Sequence, residues 1–214
     1  MQKHGRMIRS ACAAVLILAA ASAPAVAAAR TLDAVRAVED AVEPIADGDV
    51  GVSASALARV RIRFATARAA LTNAGAAPAD LAAVDSGLAR LSREHGSAAI
   101  RTADALTDML SPLFGVAGDR VPVDVHRLDH LARLMRLDAA AGTWRAAAGD
   151  AERASAAWSR VRGGAAARGA AVAARFDHGL AAVKAAIAAR NAAASRAAAS
   201  ALSEDVDAVE KLYP

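Results

Sequence analysis

The chain has 214 residues, 56% of them hydrophobic but only 3% aromatic, and its 26 Lys+Arg against 22 Asp+Glu give a formal net charge of +4. Three of the bases, Lys3, Arg6 and Arg9, stand in the first ten residues with no acid beside them, so the rest of the chain is nearly neutral and does not argue for a nucleic-acid partner. The single cysteine, Cys12, excludes disulfides within the chain, a covalent c-type haem motif and a zinc site built on thiolates.

The basic opening "MQKHGRMIRS" is followed by the apolar run "ACAAVLILAAASA" and then by "PAVAAAR". That order is the anatomy of a secretory signal peptide. Ala25 and Ala27 supply the small-x-small pattern for cleavage after Ala27, whereas a cut after Ala23 would leave Pro24 at the new terminus. The apolar run is shorter than the roughly 20 residues that span a bilayer as a helix, so a cleaved leader is expected and an uncleaved anchor is the alternative. Residues 28–214 are then an exported chain, periplasmic or secreted, with no transmembrane span and with enough length for one domain. Cys12 precedes the apolar run instead of following it, the wrong place for a lipoprotein cysteine.

Beyond the leader, Ala and Arg dominate and strand-type runs are nearly absent, which points to helices packed closely through small side chains. Leu32, Val35, Val38 and Val42 predict a helix over 31–43, ended by Pro44. A second is expected over 54–73 behind Ser53 as N-cap, with Leu57, Val60, Phe64, Ala67 and Leu71 on one face. A third, 79–94, uses Leu81, Val84, Leu88 and Leu91 and is closed by His95 and Gly96. Ser97 then caps a fourth over 98–110, which stops before Pro112. The fifth, 122–141, carries Val121, Val125, Leu128, Leu131, Ala132, Met135 and Ala139 within about 60° of one direction on a helical wheel. A sixth, 144–162, places Trp144 and Trp158 on one face as core anchors, with Ser155 bonding back to a carbonyl one turn earlier. "RGGAAARG" is read as a break before a long last helix, 168–211, with an interruption near Ser203.

Charge is unevenly placed. Residues 31–50 hold six acids and one base, and 51–79 hold Arg59, Arg61, Arg63 and Arg68 with no acid. Residues 153–203 hold eight bases and only Asp177, and 204–214 are again acidic. Complementary helices within one bundle account for this; a basic face that docks an anionic envelope component or a partner protein is the second reading.

"VDVHRLDHLAR", residues 123–133, carries the one candidate site. His126 and His130 are four apart, so both rings project from adjacent turns of one helix face, a spacing suited to a metal. With Leu128 at zero they fall at about 160° and about 200°, turned away from the apolar stripe together with Arg133. Exposed histidines are therefore expected. Asp129 pairs at i, i+4 with Arg133. "RLDH" at 127–130 is echoed by "RFDH" at 175–178, and if the two faces met, His126, His130 and His178 would form a set of three metal ligands. "HRLDH" has the spacing of the H-x-x-E-H metalloprotease motif with Asp for Glu. "VHRLD" resembles the G-x-H-x-x-E segment of imelysin-like periplasmic proteins, which are associated with iron uptake; here Asp124 stands in place of the Gly and Asp129 in place of the Glu. The layout is also similar to that of exported bundle cytochromes, without their covalent haem motif or an identifiable Met/His axial pair.

The sequence thus reads as an all-α antiparallel bundle of six to seven helices with an alanine-rich core. Its expected role is a non-enzymatic binding or accessory protein of the cell envelope, acting on a protein or an anionic envelope component, with no cofactor. The alternative is a periplasmic metal-binding or metal-delivery protein using His126 and His130, with His178 as a third ligand.

Overall fold

The computed structural model describes the backbone of residues 8–214 and the side chains of residues 25–214. Most of the expected signal peptide lies outside the residues with described side chains; Ala25 to Arg30, around its cleavage point, are exposed. The described residues form eight helices and no strand: α1 (Ile8–Ala46), α2 (Ala54–Asn73), α3 (Pro78–Leu91), α4 (Gly96–Val116), α5 (Val123–Ala141), α6 (Trp144–Arg168), α7 (Ala170–Ala188) and α8 (Ala192–Glu210). No helix among them is long and apolar enough to cross a membrane.

The buried apolar residues divide into two clusters. The first is built by α1 to α4 around Val38, Ile45, Phe64, Leu71, Leu91, Leu106 and Phe114. The second is built by α5 to α8 around Leu128, Met135, Trp158, Phe176, Val183, Leu202 and Val206. Within each cluster consecutive helices pack side by side and the last returns to the first, α4 to α1 and α8 to α5. The α4–α5 pair joins the clusters. All seven residues expected on the apolar stripe of the fifth helix are buried, as are Val60, Phe64, Ala67 and Leu71 of α2. Ser53 caps α2 through the amide of Ala56 at 3.1 Å, and the Ser155 hydroxyl bonds back to the Ala151 carbonyl at 2.8 Å.

Four boundaries differ from the sequence reading. Pro112 lies inside α4, which continues to Val116. The carbonyl left without a donor belongs to half-buried Asp108, and extending the helix buries Leu113 and Phe114. The Gly163–Gly164 pair stays inside α6, because Val161 and Ala165 on either side of it are buried in the second cluster. The chain turns instead at Gly169, where a Cβ would stand 2.7 Å from Leu212 Cδ2. The expected long last helix is cut in two: Arg190 takes a left-handed φ of 51° and Asn191 caps α8 through the Ala194 amide at 3.0 Å. The turn lets α8 pack on both α5 and α7. His95 and Gly96 open α4 instead of closing α3, so Ser97 is not its cap. The break at Arg190–Asn191 raises the helix number among the described residues to eight, above the six to seven expected.

Gly87 marks the closest approach of α3 to α4. A Cβ there would meet Leu106 Cδ2 at 2.5 Å and both Leu106 Cγ and Met109 Sδ at 3.2 Å, and Leu106 is fully buried with nowhere to rotate. Gly87→Val is expected to lower unfolding stability by about 1–3 kcal/mol through overpacking, measured by urea denaturation.

Candidate functional site: a polar seam and cleft between the two clusters

Helix α5 has two buried faces. Its apolar stripe fills the second cluster, and its opposite face, with Arg133 only 5% exposed, meets the first cluster instead of water. The side chains of His126 and His130 are 7% and 12% exposed. The expectation of exposed histidines is therefore overturned: they do point away from the apolar stripe, but α1, α4 and the α4–α5 connection stand opposite them.

Across this seam, Arg133 contacts Glu43, lies 3.1 Å from Asp47 and, within its own helix, 2.6 Å from Asp129. Arg136 reaches the same Asp47 carboxylate at 2.9 Å. Toward α4, Arg101 pairs with Asp138 at 2.5 Å, and His130 Nδ1 lies 2.9 Å from Asp104 Oδ2. Asp104 is fully buried. Its approach to His130 lacks hydrogen-bond direction, so both of its oxygens and His130 Nδ1 are without a hydrogen-bond partner. Burial pushes the Asp104 carboxyl up, with His130 opposing. Burial would pull the His130 imidazole down, but Asp104 and Asp108 outweigh it and hold it above its ordinary value.

At one end the seam opens into a cleft of about 600 Å³ between α1, the 114–126 region and the end of α8. Glu39, Asp40, Asp119, Asp207 and Glu210 line it against the two bases Arg36 and Lys211. His126 forms part of its wall, stacked on Phe114 with ring centroids 4.3 Å apart and planes 16° from parallel. Its Nδ1 is 3.4 Å from Glu210 Oε1 and its Nε2 is 3.7 Å from Asp119 Oδ2, and Nε2 has no hydrogen-bond partner. Arg36 reaches the same Asp119 oxygen at 3.6 Å. Burial pushes the Glu39 carboxyl up to about 7, with Glu210 and Glu43 reinforcing and His126 opposing. Burial also raises Asp129 to about 6 against the pull of Arg133. The C-terminal tail folds over the cleft, its Pro214 carbonyl accepting from Arg120 at 2.9 Å, and the Arg168 guanidinium covers the Tyr213 ring at 4.6 Å.

His178 is exposed on α7, a helix that packs on α6 and α8 and sits diagonally from α5. His126 and His130 each face a different carboxylate, and no group of three or more metal-ligating side chains is assembled among the described residues. The acids that matter here, Glu39, Glu43, Asp47, Asp104, Asp119 and Glu210, are not singled out by the sequence. The only hint of them is the acidic excess of residues 31–50 and 204–214. Trp158 is a core anchor as expected, 4% exposed, with its indole N–H donated to Asp177 at 2.6 Å, whereas Trp144 lines an open cavity with Arg145, Lys184 and Arg190.

No protein-family model matches the chain, and no curated protein or solved structure is found to be similar to it.

Two outcomes follow from the seam. Arg133→Ala leaves Glu43, Asp47 and Asp129 without their shared cation and is expected to cost about 3–5 kcal/mol in urea unfolding at neutral pH. The loss should shrink as pH falls through about 6, where Asp129 takes up a proton. Separately, the native Glu39 holds a proton that the unfolded chain gives up at a lower pH, so its contribution is fully present below the ordinary carboxylate value and is lost as pH rises through about 7. His130 acts in the same sense as pH rises through its raised value. Stability is expected to fall by about 2 kcal/mol from Glu39 alone between pH 5.5 and 7.5, and Glu39→Gln should remove that slope.

Proposed function

We propose that the protein is an exported, non-enzymatic binding protein of the cell envelope whose ligand is cationic and enters the cleft beside His126. Its N-terminal basic-then-apolar pattern supports export. The observation that carries the ligand class is the charge of the cleft: five carboxylates against two bases around an almost fully buried imidazole whose Nε2 is unpartnered. A cation supplies what this wall lacks. It offsets the repulsion among Glu39, Glu210 and Asp129, and it favours the ionised Glu39 that burial disfavours. No serine, threonine or cysteine lines the cleft to serve as a nucleophile, which supports a binding role over an acyl-transfer one.

The volume exceeds what a bare ion fills, which favours an organic cation such as a polyamine or a basic side chain. A divalent metal ion is the second reading, resting on His126 with a carboxylate on either side, Asp119 and Glu210, which are not assembled as a set of three ligands. His130 takes no part in either, because Asp104 holds its Nδ1 on the α4 side. Calorimetric titration with spermidine and with Zn²⁺ separates the two readings. Spermidine is expected to bind at pH 8 and to lose about tenfold in affinity at pH 6, where Glu39 is protonated. Glu39→Gln combined with Glu210→Gln should abolish binding, and His126→Ala should spare it. Zn²⁺ bound at one equivalent and lost in His126→Ala but kept in His178→Ala would establish the metal reading instead. If neither cation binds at micromolar concentration, the cleft is not a cation site.

A further inference from the structure

Most of the chain's charge is locally compensated. In the base-rich region 153–203 five of the eight bases are paired, Arg153 with Asp150, Arg160 with Asp124, Arg162 with Asp177, Arg175 with Asp205 and Lys184 with Glu152, and the unpaired Arg168, Arg190 and Arg196 are well separated along the chain. The outer face of α2 is different. Arg59, Arg61 and Arg63 are exposed and enter no ion pair among the described residues, and α2 itself contains no acid. Only Arg68 is matched, by Asp85 of α3. Helix α2 packs chiefly on α1 and α3, and the residues of its far side are exposed.

The arrangement of that far side is specific. Ile62 is 66% exposed, the most exposed large apolar side chain among the described residues. On the helical period it stands about 180° from Leu71, which is fully buried in the core stripe. Ala58, Ala65 and Ala69 lie within about 60° of Ile62 and are exposed with it. Arg59 and Arg63 flank this strip on one side at about 60–100°, and Arg61 and Arg68 on the other at about 100–120°. The hydroxyls of Thr66 and Thr72 are turned back onto the Ile62 and Arg68 carbonyls at 3.0 and 2.9 Å, so they ask for no partner outside the helix. Exposed Ser55, Thr66 and Asn73 share the strip with Ile62 and the alanines, so its apolar part is centred on Ile62. A small apolar patch bordered on both sides by arginines, with no acid, matches a surface that is negative at the headgroup level and apolar just below it.

We propose that the outer face of α2 docks the protein on an anionic phospholipid bilayer, with Ile62 as the side chain that enters the interface and Arg59, Arg61 and Arg63 on the headgroups. The face is independent of the cleft and does not require it to bind anything. A second copy of the chain is disfavoured as occupant of this face, since two such faces would oppose arginine to arginine.

The test reads α2 locally, so that the apolar segment at the N-terminus does not answer for it. In the full chain with Cys12→Ser, a nitroxide is placed at Ile62→Cys or, as control, at Ser159→Cys on the exposed side of α6. Vesicles of phosphatidylcholine containing phosphatidylglycerol are expected to shield position 62, and not position 159, from an aqueous nickel complex, whereas phosphatidylcholine alone should shield neither. Combining Arg59→Gln with Arg63→Gln should raise the lipid needed for half-shielding by about 25-fold, roughly fivefold for each arginine removed. All these side chains are exposed, so the variants retain the core. The proposal is overturned if position 62 stays open to the nickel complex with anionic vesicles, if neutral vesicles shield it equally, or if position 159 is shielded to the same extent. Shielding without any vesicle would assign the face to a second copy.

Discussion

A guanidinium can leave water only where carboxylates and hydrogen bonds replace its hydration, and removing one member of such a group costs far more than the group contributes as a whole. Arg133 is in that position. It is nearly fully buried, and its partners come from two places: Asp129 one turn back on α5, and Glu43 of α1 with Asp47 just past its end. Because two of the three lie in the other cluster, separating the clusters would expose a set of charges arranged for one another. Arg136 and Arg101 extend the same logic along the seam. The union of the two apolar clusters therefore depends on ionic complementarity and on the α4–α5 contact, more than on a shared apolar core. That makes it sensitive to pH in a way that neither cluster's interior is.

The same seam decided which parts of the chain could be read from sequence. The apolar stripe of α5 was legible residue by residue, because a period of 3.6 specifies a direction and apolar residues have one reason to share it. The opposite face was not. His126, His130 and Arg133 have the composition of a solvated face, and nothing in the local sequence distinguishes water from a second polar surface as their surroundings. The signal that could have found it was nonlocal: an acidic block at 31–50 without bases of its own, and a buried-length stripe of charge on α5 able to receive it. The boundary differences have a related cause. Pro112 and the Gly163–Gly164 pair are local stop signals that cost about 1–3 kcal/mol each. Burying Leu113 and Phe114 beyond Pro112, or Ala165 beyond the glycines, outweighs them. In contrast, Asn191 is a modest local signal that prevails because the fold needs α8 to turn back there.

Not all of the seam is optimised for stability. Asp104 is buried with neither oxygen in a formed hydrogen bond, and Glu39 is held where ionisation is disfavoured. Each carries a cost that an apolar residue of similar size would avoid. In Asp104 the cost is offset by the His130 imidazole beside it, a pairing internal to α4 and α5. In Glu39 the opposing charge from within the protein is weaker, and the neighbours Glu210 and Glu43 make matters worse. The two buried acids therefore differ in kind: one faces an imidazole of the protein itself, the other is open toward a cleft with an unpartnered ring nitrogen on its wall. An incompletely compensated group that faces a cavity is where a ligand's charge has most effect, since binding and relief of the native-state cost are the same event.

Net charge alone conveys little about such a protein. With the three bases of the first ten residues set aside, acids and bases nearly balance, and many of them find each other within a turn or across one helix interface. Two concentrations stand out from the rest. Five carboxylates line the cleft between α1, the 114–126 region and α8, and three unpaired arginines lie together on the outer side of α2, a helix that touches neither α5 nor α8 closely. Screening over about 8–10 Å at physiological ionic strength keeps two such patches from cancelling at a distance. Each therefore presents its own sign to whatever approaches it, and a chain that is almost neutral as a whole can attract a small cation at one place and an anionic surface at another.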